Sequence, residues 1–446
     1  MTAHILPFTD LIAAETDQPK EMVRGEGPYV FDTEGRKYLD AVSGLWCASL
    51  GFNPERLQRA AADQLGRLAY YHSFMGRTCA PANALAERLI EKLPGGLRHV
   101  FFGTSGSEAV ETAIKFARYF QISRGKAGKS KILARKGAYH GSGHISAALT
   151  GMAYCHEGFH LPLSDVIRVG RPHYLTEHEP GESEADFVRR LGRELTATID
   201  EHGAGTIAAM IAEPVMGSGG VILPPEGYWQ CVQEILAKND ILLIADEIIT
   251  GFGRTGAWFA CETYGIRPDL LTAAKQMTGA VFPMSAVAMT TKVRNVIAER
   301  SHALGTFGHG VTFGAHPVGA AVALEALRIY EEMDLPSHVT RLGRSLFSRL
   351  ITLERYDIVR EVRSVGLVGA IEFHRADHAA AVAKDMEQHG VLLRVIGNIL
   401  AVCPPYIVTA EDLTRISETA EASIGNVAGK PGASRIEAGV LPARSG

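Results

Sequence analysis

The sequence lacks paired cysteine motifs, long hydrophobic runs and an excess of positive charge. No segment approaches the ~20 consecutive apolar residues that a membrane-spanning helix needs. The first residues, MTAHILPFTDLIAAETDQ, contain no basic stretch followed by an apolar one, and we predict a cytoplasmic, soluble protein. No CxxC pair occurs, which argues against a disulfide framework or a cysteine zinc site; the six cysteines are Cys47, Cys79, Cys155, Cys231, Cys261 and Cys403.

The charge balance excludes whole classes of partner. The chain carries 45 Lys and Arg residues against 49 Asp and Glu residues, a formal net charge of -4. It therefore offers no broad basic surface for nucleic acid or anionic membranes, and we expect a small-molecule partner instead. With 446 residues, 46% of them hydrophobic, the chain can bury a large core, and its length suggests two or three folding units.

Helical and β-rich segments alternate from about residue 55 onward. Alternation of this kind predicts right-handed βαβ units, and hence an α/β fold around a mainly parallel sheet. The helical patterns lie at 84–93 and 107–120, and the β-rich runs are HVFFG (99–103), KILAR (131–135), IAAMIAEP (207–214) and ILLIAD (241–246).

A smaller α+β unit is predicted from the two ends of the chain. Near the N-terminus, residues 29–44 alternate apolar and polar side chains, which indicates a β-hairpin. A long helical pattern at 316–333 leads out of the large sheet, and β-rich runs at 362–373 and 398–408 flank a further helix. The predicted division is a large domain at 59–325, a small domain built from 1–58 and 326–446, and a flexible tail at 428–446.

Lys275 is the first candidate for chemistry. It follows the apolar run PDLLTAA and precedes Thr278, Gly279 and Pro283, which places an amine at a strand-to-loop edge with few charged neighbours. Desolvation there lowers the pKa of an amine and favours the neutral form that can make a Schiff base. The alternative is a surface lysine whose stem packs along the end of a strand.

Asp246 ends the apolar strand ILLIAD, at the edge of the sheet where open α/β folds bind ligands. A carboxylate here either pairs with a cation, such as a protonated ring nitrogen, or caps a loop.

Gly251, Gly253 and Gly256 match GxGxxG directly after this strand, which taken alone indicates a dinucleotide. No long helix opens on the last glycine, so we interpret the segment as a structural turn and keep an NAD-dependent dehydrogenase as a distant alternative.

Two further segments are suited to a flat, phosphorylated molecule. In FFGTSGSEAV, a strand leads through Gly106 and Ser107 into a helix whose first amide groups and positive dipole end can bind a phosphate. A capped helix without a ligand is the alternative. In GAYHGSGH, Tyr139 can stack on a flat ring. His140 and His144 suggest a metal, but the glycines disfavour a helix that presents both, so no metal site is predicted.

Together these segments resemble the class III aminotransferases, which use pyridoxal 5'-phosphate (PLP) and have PLP fold type I. The resemblance covers roughly residues 25–409, and within the family it points to the ω-amino acid or amine:pyruvate transaminases. It rests on the order and spacing of the motifs SGSEA, YHG, AEP, ADEIITGFGRTG, AAKQMTG, HGVTFGAHP and CPP. It implies a large domain around a mainly parallel seven-stranded sheet and a smaller α+β domain.

The resemblance also implies roles for individual residues. Lys275 is expected to hold PLP as a Schiff base and to move a proton during catalysis, and Asp246 to pair with the pyridine nitrogen. In this family the threonine at Thr312 reaches the phosphate of the neighbouring subunit, which implies an obligate homodimer, or a tetramer, with shared active sites. The remaining expected cofactor contacts are Gly106 and Ser107 at the phosphate, Tyr139 and His140, Ile248 on the opposite face of the ring, and Glu213 as a supporting carboxylate.

Residues on the substrate side match the same branch of the family. Trp46 and Tyr154 correspond to aromatic walls of the pocket, with core aromatics as the alternative. Arg394 corresponds to the mobile arginine that binds the carboxylate of pyruvate or alanine through its planar fork. Relatives that act on ornithine or acetylornithine with 2-oxoglutarate carry an arginine where this chain has Ala401, which weakens the 2-oxoglutarate interpretation and favours pyruvate. Gln276 is a second departure, since many relatives have glycine directly after the lysine.

The sequence thus predicts a PLP-dependent aminotransferase that moves an amino group from an amine or ω-amino acid to pyruvate, giving alanine. The predicted mechanism is ping-pong, through the lysine-bound cofactor and pyridoxamine phosphate. Alternatives on the same scaffold are a 2-oxoglutarate-dependent aminotransferase, an aminomutase or a decarboxylase, because PLP supplies the carbanion chemistry for each.

Overall fold

The structure is a computed structural model that describes residues 3–16 and 19–428. The tail predicted at 428–446 therefore lies outside the described residues from residue 429 onward. No helix within the described ranges is both long enough and apolar enough to cross a bilayer.

The strands belong to three sheets and are short, as strands of α/β proteins usually are. They are β1 (Met22–Glu26), β2 (Tyr29–Asp32), β3 (Lys37–Asp40), β4 (Leu97–Gly103), β5 (Lys131–Arg135), β6 (Val166–Val169), β7 (Ile207–Ala212), β8 (Leu242–Asp246), β9 (Leu270–Ala273), β10 (Ser285–Thr290), β11 (Val359–Val365), β12 (Val368–Phe373), β13 (Val391–Leu392), β14 (Arg394–Ile396) and β15 (Ile399–Val402).

The helices surround these sheets and range from single turns to five turns. They are α1 (Ala13–Thr16), α2 (Ser43–Trp46), α3 (Glu55–Arg67), α4 (Ala80–Lys92), α5 (Gly106–Ser123), α6 (His144–Leu149), α7 (Tyr174–Glu177), α8 (Glu184–His202), α9 (Tyr228–Lys238), α10 (Ala260–Tyr264), α11 (Thr291–Leu304), α12 (Pro317–Glu332), α13 (Leu335–Leu350), α14 (Ala376–Gln388) and α15 (Ala410–Ala428).

The largest sheet has seven strands in the order β4-β10-β9-β8-β7-β5-β6. Strands β6, β5, β7, β8 and β9 are parallel, and β10 runs antiparallel to both of its neighbours. Every residue of β7, β8 and β9 is buried, because helices cover both faces of a parallel sheet. The mainly parallel seven-stranded sheet and the α/β class predicted from the sequence are confirmed.

Apolar cores lie on the two faces of this sheet. Ile132 of β5 packs in the core that contains α5, whereas its neighbour Leu133 packs in the core that contains α8 and α9. Successive side chains of a strand point to opposite faces, so an uninterrupted apolar run supplies both cores at once. The carboxyl ends of β7, β8 and β9 meet at one edge, where the connecting loops are free to form a site.

Two four-stranded sheets complete the fold. The predicted N-terminal hairpin is confirmed, since β2 pairs antiparallel with β3, and β3 in turn pairs with β13 through Val391 and Leu39. The second small sheet has the order β11-β12-β15-β14. The β-rich run predicted at 362–373 is two antiparallel strands rather than one, because Gly366, with φ +53°, turns the chain between Val365 and Val368.

The predicted domain boundaries fall inside helices. The boundary between residues 58 and 59 lies within α3, and that between residues 325 and 326 lies within α12. The division of the chain into domains stays a prediction.

Candidate active site

A cavity of about 470 Å³ opens at the carboxyl ends of the central strands. Its walls come from widely separated parts of the sequence, as expected where loops of a parallel sheet converge. All the predicted site residues except Thr312 line it: Trp46, Gly106, Ser107, Tyr139, His140, Tyr154, Glu213, Asp246, Ile248, Lys275 and Arg394.

Lys275 lies two residues after β9 and begins a short 3₁₀ turn that ends at Thr278. Its backbone is left-handed, with φ +52°, a conformation that costs energy in a residue with a side chain and that clusters at functional sites. Its amine is half-buried and has no hydrogen-bond partner among residues 3–16 and 19–428. Burial lowers the pKa of the ammonium group, and Cys47, followed by the charges of Asp246 and Glu213, opposes this effect.

Asp246 is the last residue of β8 and is buried. Its Oδ2 lies 2.7 Å from Nδ1 of His140, and its Oδ1 accepts a bond from the Ile248 amide at 3.2 Å and from Oγ1 of Thr272 at 3.3 Å. These donors hold the carboxylate in one orientation at the base of the cavity. Nε2 of His140 is buried and has no partner in the described part of the chain.

Glu213 follows β7 and ties two loops together. Its Oε2 accepts the amide of Gly217 at 2.8 Å, and its Oε1 accepts the amide of Tyr139 at 3.2 Å. Burial raises the pKa of the Glu213 carboxyl, and His140 and Arg135 counteract the shift. The Glu213 carboxylate therefore fixes the loops of Tyr139 and Gly217 in the wall of the cavity by accepting hydrogen bonds from their backbone amides.

The start of α5 forms an anion cradle beside these carboxylates. Ser105 caps the helix, its Oγ accepting the Glu108 amide at 3.2 Å, which leaves the amides of Gly106 and Ser107 without acceptors among the described residues. A side chain at Gly106 would place its Cβ 3.0 Å from Cδ1 of Ile248, so glycine permits the close approach. The free amides and the helix dipole suit a phosphate group.

The outer part of the cavity is aromatic and carries one free cation among the described residues. Trp46 is 1% exposed and Tyr154 is 61% exposed, so one is a fixed wall and the other lies at the mouth. The guanidinium of Arg394 has neither an ion pair nor a hydrogen bond in the described ranges. An unpaired guanidinium in a pocket is suited to a carboxylate ligand.

Phe8 also lines the cavity, although the sequence pattern did not single it out. Its ring centroid lies 6.5 Å from that of Tyr139 and 6.3 Å from that of Tyr154. A single phenylalanine in an N-terminal segment without regular periodicity gives no signal of a distant contact. Cys47, beside Trp46 in the cavity wall, was likewise missed.

Thr312 lies outside the cavity. It is exposed, and its carbonyl oxygen accepts a hydrogen bond from the Tyr70 hydroxyl at 2.8 Å. Its predicted contact with a neighbouring subunit stays a prediction.

The glycine-rich segment after β8 is a turn, as predicted. Gly253 and Gly256 have φ +92° and +89°, and side chains there would collide with Leu335 and Thr340 of α13. The helix that follows, α10, is a separate segment of only five residues. The segment thus lacks the long helix that a dinucleotide fingerprint requires.

The paired histidines point in different directions, since His140 is buried against Asp246 while His144 is exposed at the start of α6. Among the described residues, one group has ligand atoms close enough for a metal, and it lies elsewhere: His173, Glu361 and Glu372. The guanidinium of Arg363 binds both of these glutamates, so a cation already occupies the space between them.

Comparison with known proteins identifies the family. The profile of the family described as Aminotransferase class-III matches residues 12–424. A γ-aminobutyrate transaminase of Solanum lycopersicum, named chloroplastic, is 42% identical over 92% of this chain and 82% of its own length. The ω-transaminase of Pseudomonas jessenii in complex with pyridoxamine phosphate (PMP) superposes with a TM-score of 0.94, at 40% identity over 95% of this chain and 96% of that one. A transaminase solved with L-alanine gives a TM-score of 0.90, at 41% identity over 91% of this chain and 99% of that one.

The cavity fits PLP on its own chemistry. An unpaired amine, a buried carboxylate and a pair of free helix-start amides match the aldehyde, ring nitrogen and phosphate of the cofactor. Lys275 would hold the aldehyde carbon, Asp246 the ring nitrogen, and Gly106 and Ser107 the phosphate. The chain belongs to the class III aminotransferases, which depend on PLP.

Proposed function

We propose that this aminotransferase takes an amino group from an amine or ω-amino acid and gives it to pyruvate, which becomes alanine, in two half-reactions at one site. The single observation that carries the proposal is the unpaired guanidinium of Arg394 in the same cavity as the unpaired amine of Lys275. A keto acid needs both a group that binds its carboxylate and a reactive amine.

Each residue has a task in this reaction. When bound, PLP withdraws electrons from the carbon that carries the transferred amino group. The neutral amine of Lys275 removes a proton from that carbon and returns one to the cofactor carbon, which is general base and acid catalysis by one group. Asp246, oriented by His140, keeps the ring nitrogen protonated.

Several observations support pyruvate as the acceptor. The planar guanidinium of Arg394 can bind one carboxylate bidentately, which suits a small monocarboxylic keto acid. Ala401 is fully buried in β15, so the described structure offers no cation there for a second carboxylate. A related transaminase was solved with L-alanine, the product expected from pyruvate.

The donor is proposed to be an ω-amino acid or amine, because relatives at about 40% identity are named γ-aminobutyrate transaminases and ω-transaminases. Trp46 would limit the pocket on the inside, whereas Tyr154 at the mouth leaves room for a longer donor. A cytoplasmic location also remains a prediction.

The acceptor is tested by Arg394→Ala. Loss of a charge-assisted bidentate contact is expected to raise KM for pyruvate by about 10- to 100-fold, while the half-reaction with an apolar amine changes little. Steady-state kinetics of alanine formation, together with stopped-flow measurement of the amine half-reaction, would separate the two effects. The matched control is Arg349→Ala, on an α-helix outside the cavity.

An unchanged KM for pyruvate in Arg394→Ala, or a wild-type enzyme that forms no alanine from pyruvate and any amine, would contradict the proposal. Strong preference for 2-oxoglutarate over pyruvate would favour the alternative acceptor. Release of carbon dioxide or isomerisation of the donor without a keto acid would indicate a decarboxylase or an aminomutase.

We also infer an obligate homodimer in which Thr312 binds the phosphate held by the neighbouring subunit. Support comes from a face of exposed aromatic side chains around it, including Tyr70, Phe74 and Phe313, which are 40%, 37% and 57% exposed. Exposed apolar patches of this kind mark interaction surfaces.

A further inference from the structure

Gln276 follows the reactive lysine directly, and its side chain is fully buried. Its Nε2 donates a hydrogen bond to the carbonyl oxygen of Ile249 at 2.9 Å. Ile249 lies three residues after Asp246, in the loop that leaves β8, whereas Gln276 lies in the loop that leaves β9. The Gln276 side chain therefore connects the loop that carries the Lys275 amine to the loop that follows Asp246.

This bond continues a backbone ladder beyond its end. Strands β8 and β9 pair up to Asp246 and Thr272, and the Glu247 amide still donates to the Thr272 carbonyl at 2.9 Å. Past that point, Gln276 makes the one hydrogen bond that joins residues 247–253 to residues 273–279 in the described chain. The spacing between the two loops is therefore set there by a side chain.

The backbone of Gln276 is fixed from the other side. Its carbonyl oxygen accepts the Tyr330 hydroxyl at 2.6 Å, and this hydroxyl lies 2.6 Å from Oγ of Ser49. Tyr330 belongs to α12 and is fully buried, so it is a rigid anchor. Gln276 is thus held at its carbonyl by a helix and at its amide by the neighbouring loop.

Fold stability alone does not explain a glutamine at this position. Its Oε1 is buried and has no donor in the described structure, which costs free energy. An apolar side chain would remove this unpaired oxygen but leave the Ile249 carbonyl unpaired instead. One unpaired acceptor replaces another, so the net effect on the free energy of unfolding is small. The glutamine is therefore better explained by a function in the site than by stability.

We propose that Gln276 is a positioning residue that ties the loop carrying the Lys275 amine to the loop following Asp246, and so fixes the amine relative to the carboxylate with which it would hold the cofactor. The proposal rests on membership of the PLP-dependent family and is independent of which keto acid or amine is used. It assigns to this side chain a function in the reaction rather than in the fold.

Cys47 and the negative charge of Asp246 both favour the protonated form of the Lys275 nitrogen. If the two loops separate, this support weakens, and the apparent pKa seen in the visible absorption of the PLP-loaded enzyme falls. Substrates are held by other residues, so KM is affected less than kcat when only the lysine is displaced.

The test uses Gln276→Met, which matches the shape of glutamine but cannot donate to Ile249. We expect the absorption pKa of the loaded enzyme to fall by about half a pH unit or more, and kcat to fall ~10-fold with KM within about twofold. Urea denaturation of the cofactor-free protein should show nearly unchanged stability. The control is Gln121→Met, outside the cavity, which removes another buried amide-to-carbonyl bond, to Ala208 at 3.3 Å, together with a bond from Arg124 to the Gln121 side-chain oxygen at 3.4 Å.

A second variant, Gln276→Glu, keeps the proposal testable if Gln276→Met folds poorly. A buried glutamic acid stays protonated at about pH 6 and can donate to the Ile249 carbonyl, so its kcat there should lie within about twofold of the wild type. The proposal is overturned if Gln276→Met leaves the absorption pKa and kcat unchanged, or if Gln121→Met shifts both by the same amount. It is also overturned if the kcat of Gln276→Glu at about pH 6 stays as low as that of Gln276→Met.

Discussion

At the scale of single residues, the site depends on an amine held where its charged form is disfavoured. Lys275 has a left-handed backbone and a half-buried side chain, and burial lowers the pKa of its ammonium group. A neutral amine attacks carbonyl groups, whereas an ammonium does not. The same burial that favours the neutral amine of Lys275 should therefore weaken the fold of the cofactor-free enzyme.

Lys275→Met should stabilise the cofactor-free enzyme against unfolding at neutral pH. The pKa of Lys275 is lower in the folded chain than its ordinary value of 10.5, so between the two values the unfolded chain binds more protons. The stability of the wild type therefore rises with pH across that window, whereas Lys275→Met lacks this contribution because methionine does not titrate. Urea denaturation should show a higher free energy of unfolding for Lys275→Met than for the wild type at about pH 7, and a smaller difference at about pH 10.

The exposed Lys238 in α9 provides the control, because Lys238→Met removes a solvated charge and should leave the pH dependence unchanged. If Lys275→Met is less stable than the wild type at both pH values, burial of the Lys275 amine does not lower the free energy of unfolding, and the prediction is wrong.

Some of these residues could be identified from the sequence alone. Lys275 and Asp246 follow apolar strands, and the carboxyl ends of neighbouring parallel strands lie together. The contacts of Phe8 and of the Gln276 side chain could not be predicted, because each depends on loop geometry that no local pattern encodes. Trp46, Tyr154 and Arg394 were named through the family resemblance, since they reach the cavity from distant parts of the chain.

At the scale of elements, close packing of α13 against the turn between β11 and β12 restricts the choice of residue. Gly343 lies inside α13, and a Cβ there would lie 1.9 Å from the carbonyl oxygen of Gly366 in that turn. Gly343→Ala should therefore lower the free energy of unfolding by roughly 1–3 kcal/mol or more, because a backbone atom cannot move aside cheaply. Urea denaturation of the two proteins measures the difference.

Gly66→Ala is the matched comparison. Gly66 also lies in a helix, α3, but no atom would lie within 4 Å of an added Cβ. Alanine there should raise the free energy of unfolding by up to ~1 kcal/mol, through its better helix propensity. Equal effects of the two substitutions would contradict the packing of α13 on the turn.

Elements with strong patterns were predicted well, and tight turns were not. The fully buried strands β7 and β8 and the long helix α12 match the predicted segments closely. The turn in the run at 362–373 consists of Gly366 and Leu367 and lacks the Asn-Gly or Asp-Gly pair that marks a two-residue hairpin most strongly, so it was not recognised.

At the scale of the whole molecule, the cavity combines residues from the beginning, middle and end of the chain. Trp46 precedes the large sheet in sequence, Asp246 ends its strand β8, Lys275 follows its strand β9, and Arg394 begins β14 of a small sheet. The parallel pairing of β3 with β13 brings residues 39–40 of the N-terminal region together with residues 391–392. The proposed dimer would add Thr312 of a second copy.

Thr312→Val should weaken PLP binding without dissociating the dimer, because it removes one hydroxyl and preserves the shape of the side chain. A charge-assisted hydrogen bond to phosphate implies about a tenfold rise in the Kd for PLP. Absorbance titration with PLP measures the affinity, and sedimentation velocity measures the mass. Thr198→Val, on the surface of α8, is the control. A monomeric active enzyme, or unchanged PLP affinity in Thr312→Val, would contradict shared active sites.

The most direct test of the central claim follows the visible absorption of the PLP-loaded enzyme during each half-reaction. With the wild type, an amine donor alone should remove the PLP absorption, and pyruvate added afterwards should restore it as alanine forms. Lys275→Ala should still bind PLP but lose this cycle by several orders of magnitude, because nucleophile and base are removed together. Near-normal amino transfer by Lys275→Ala would contradict the assignment of Lys275 as the reacting residue.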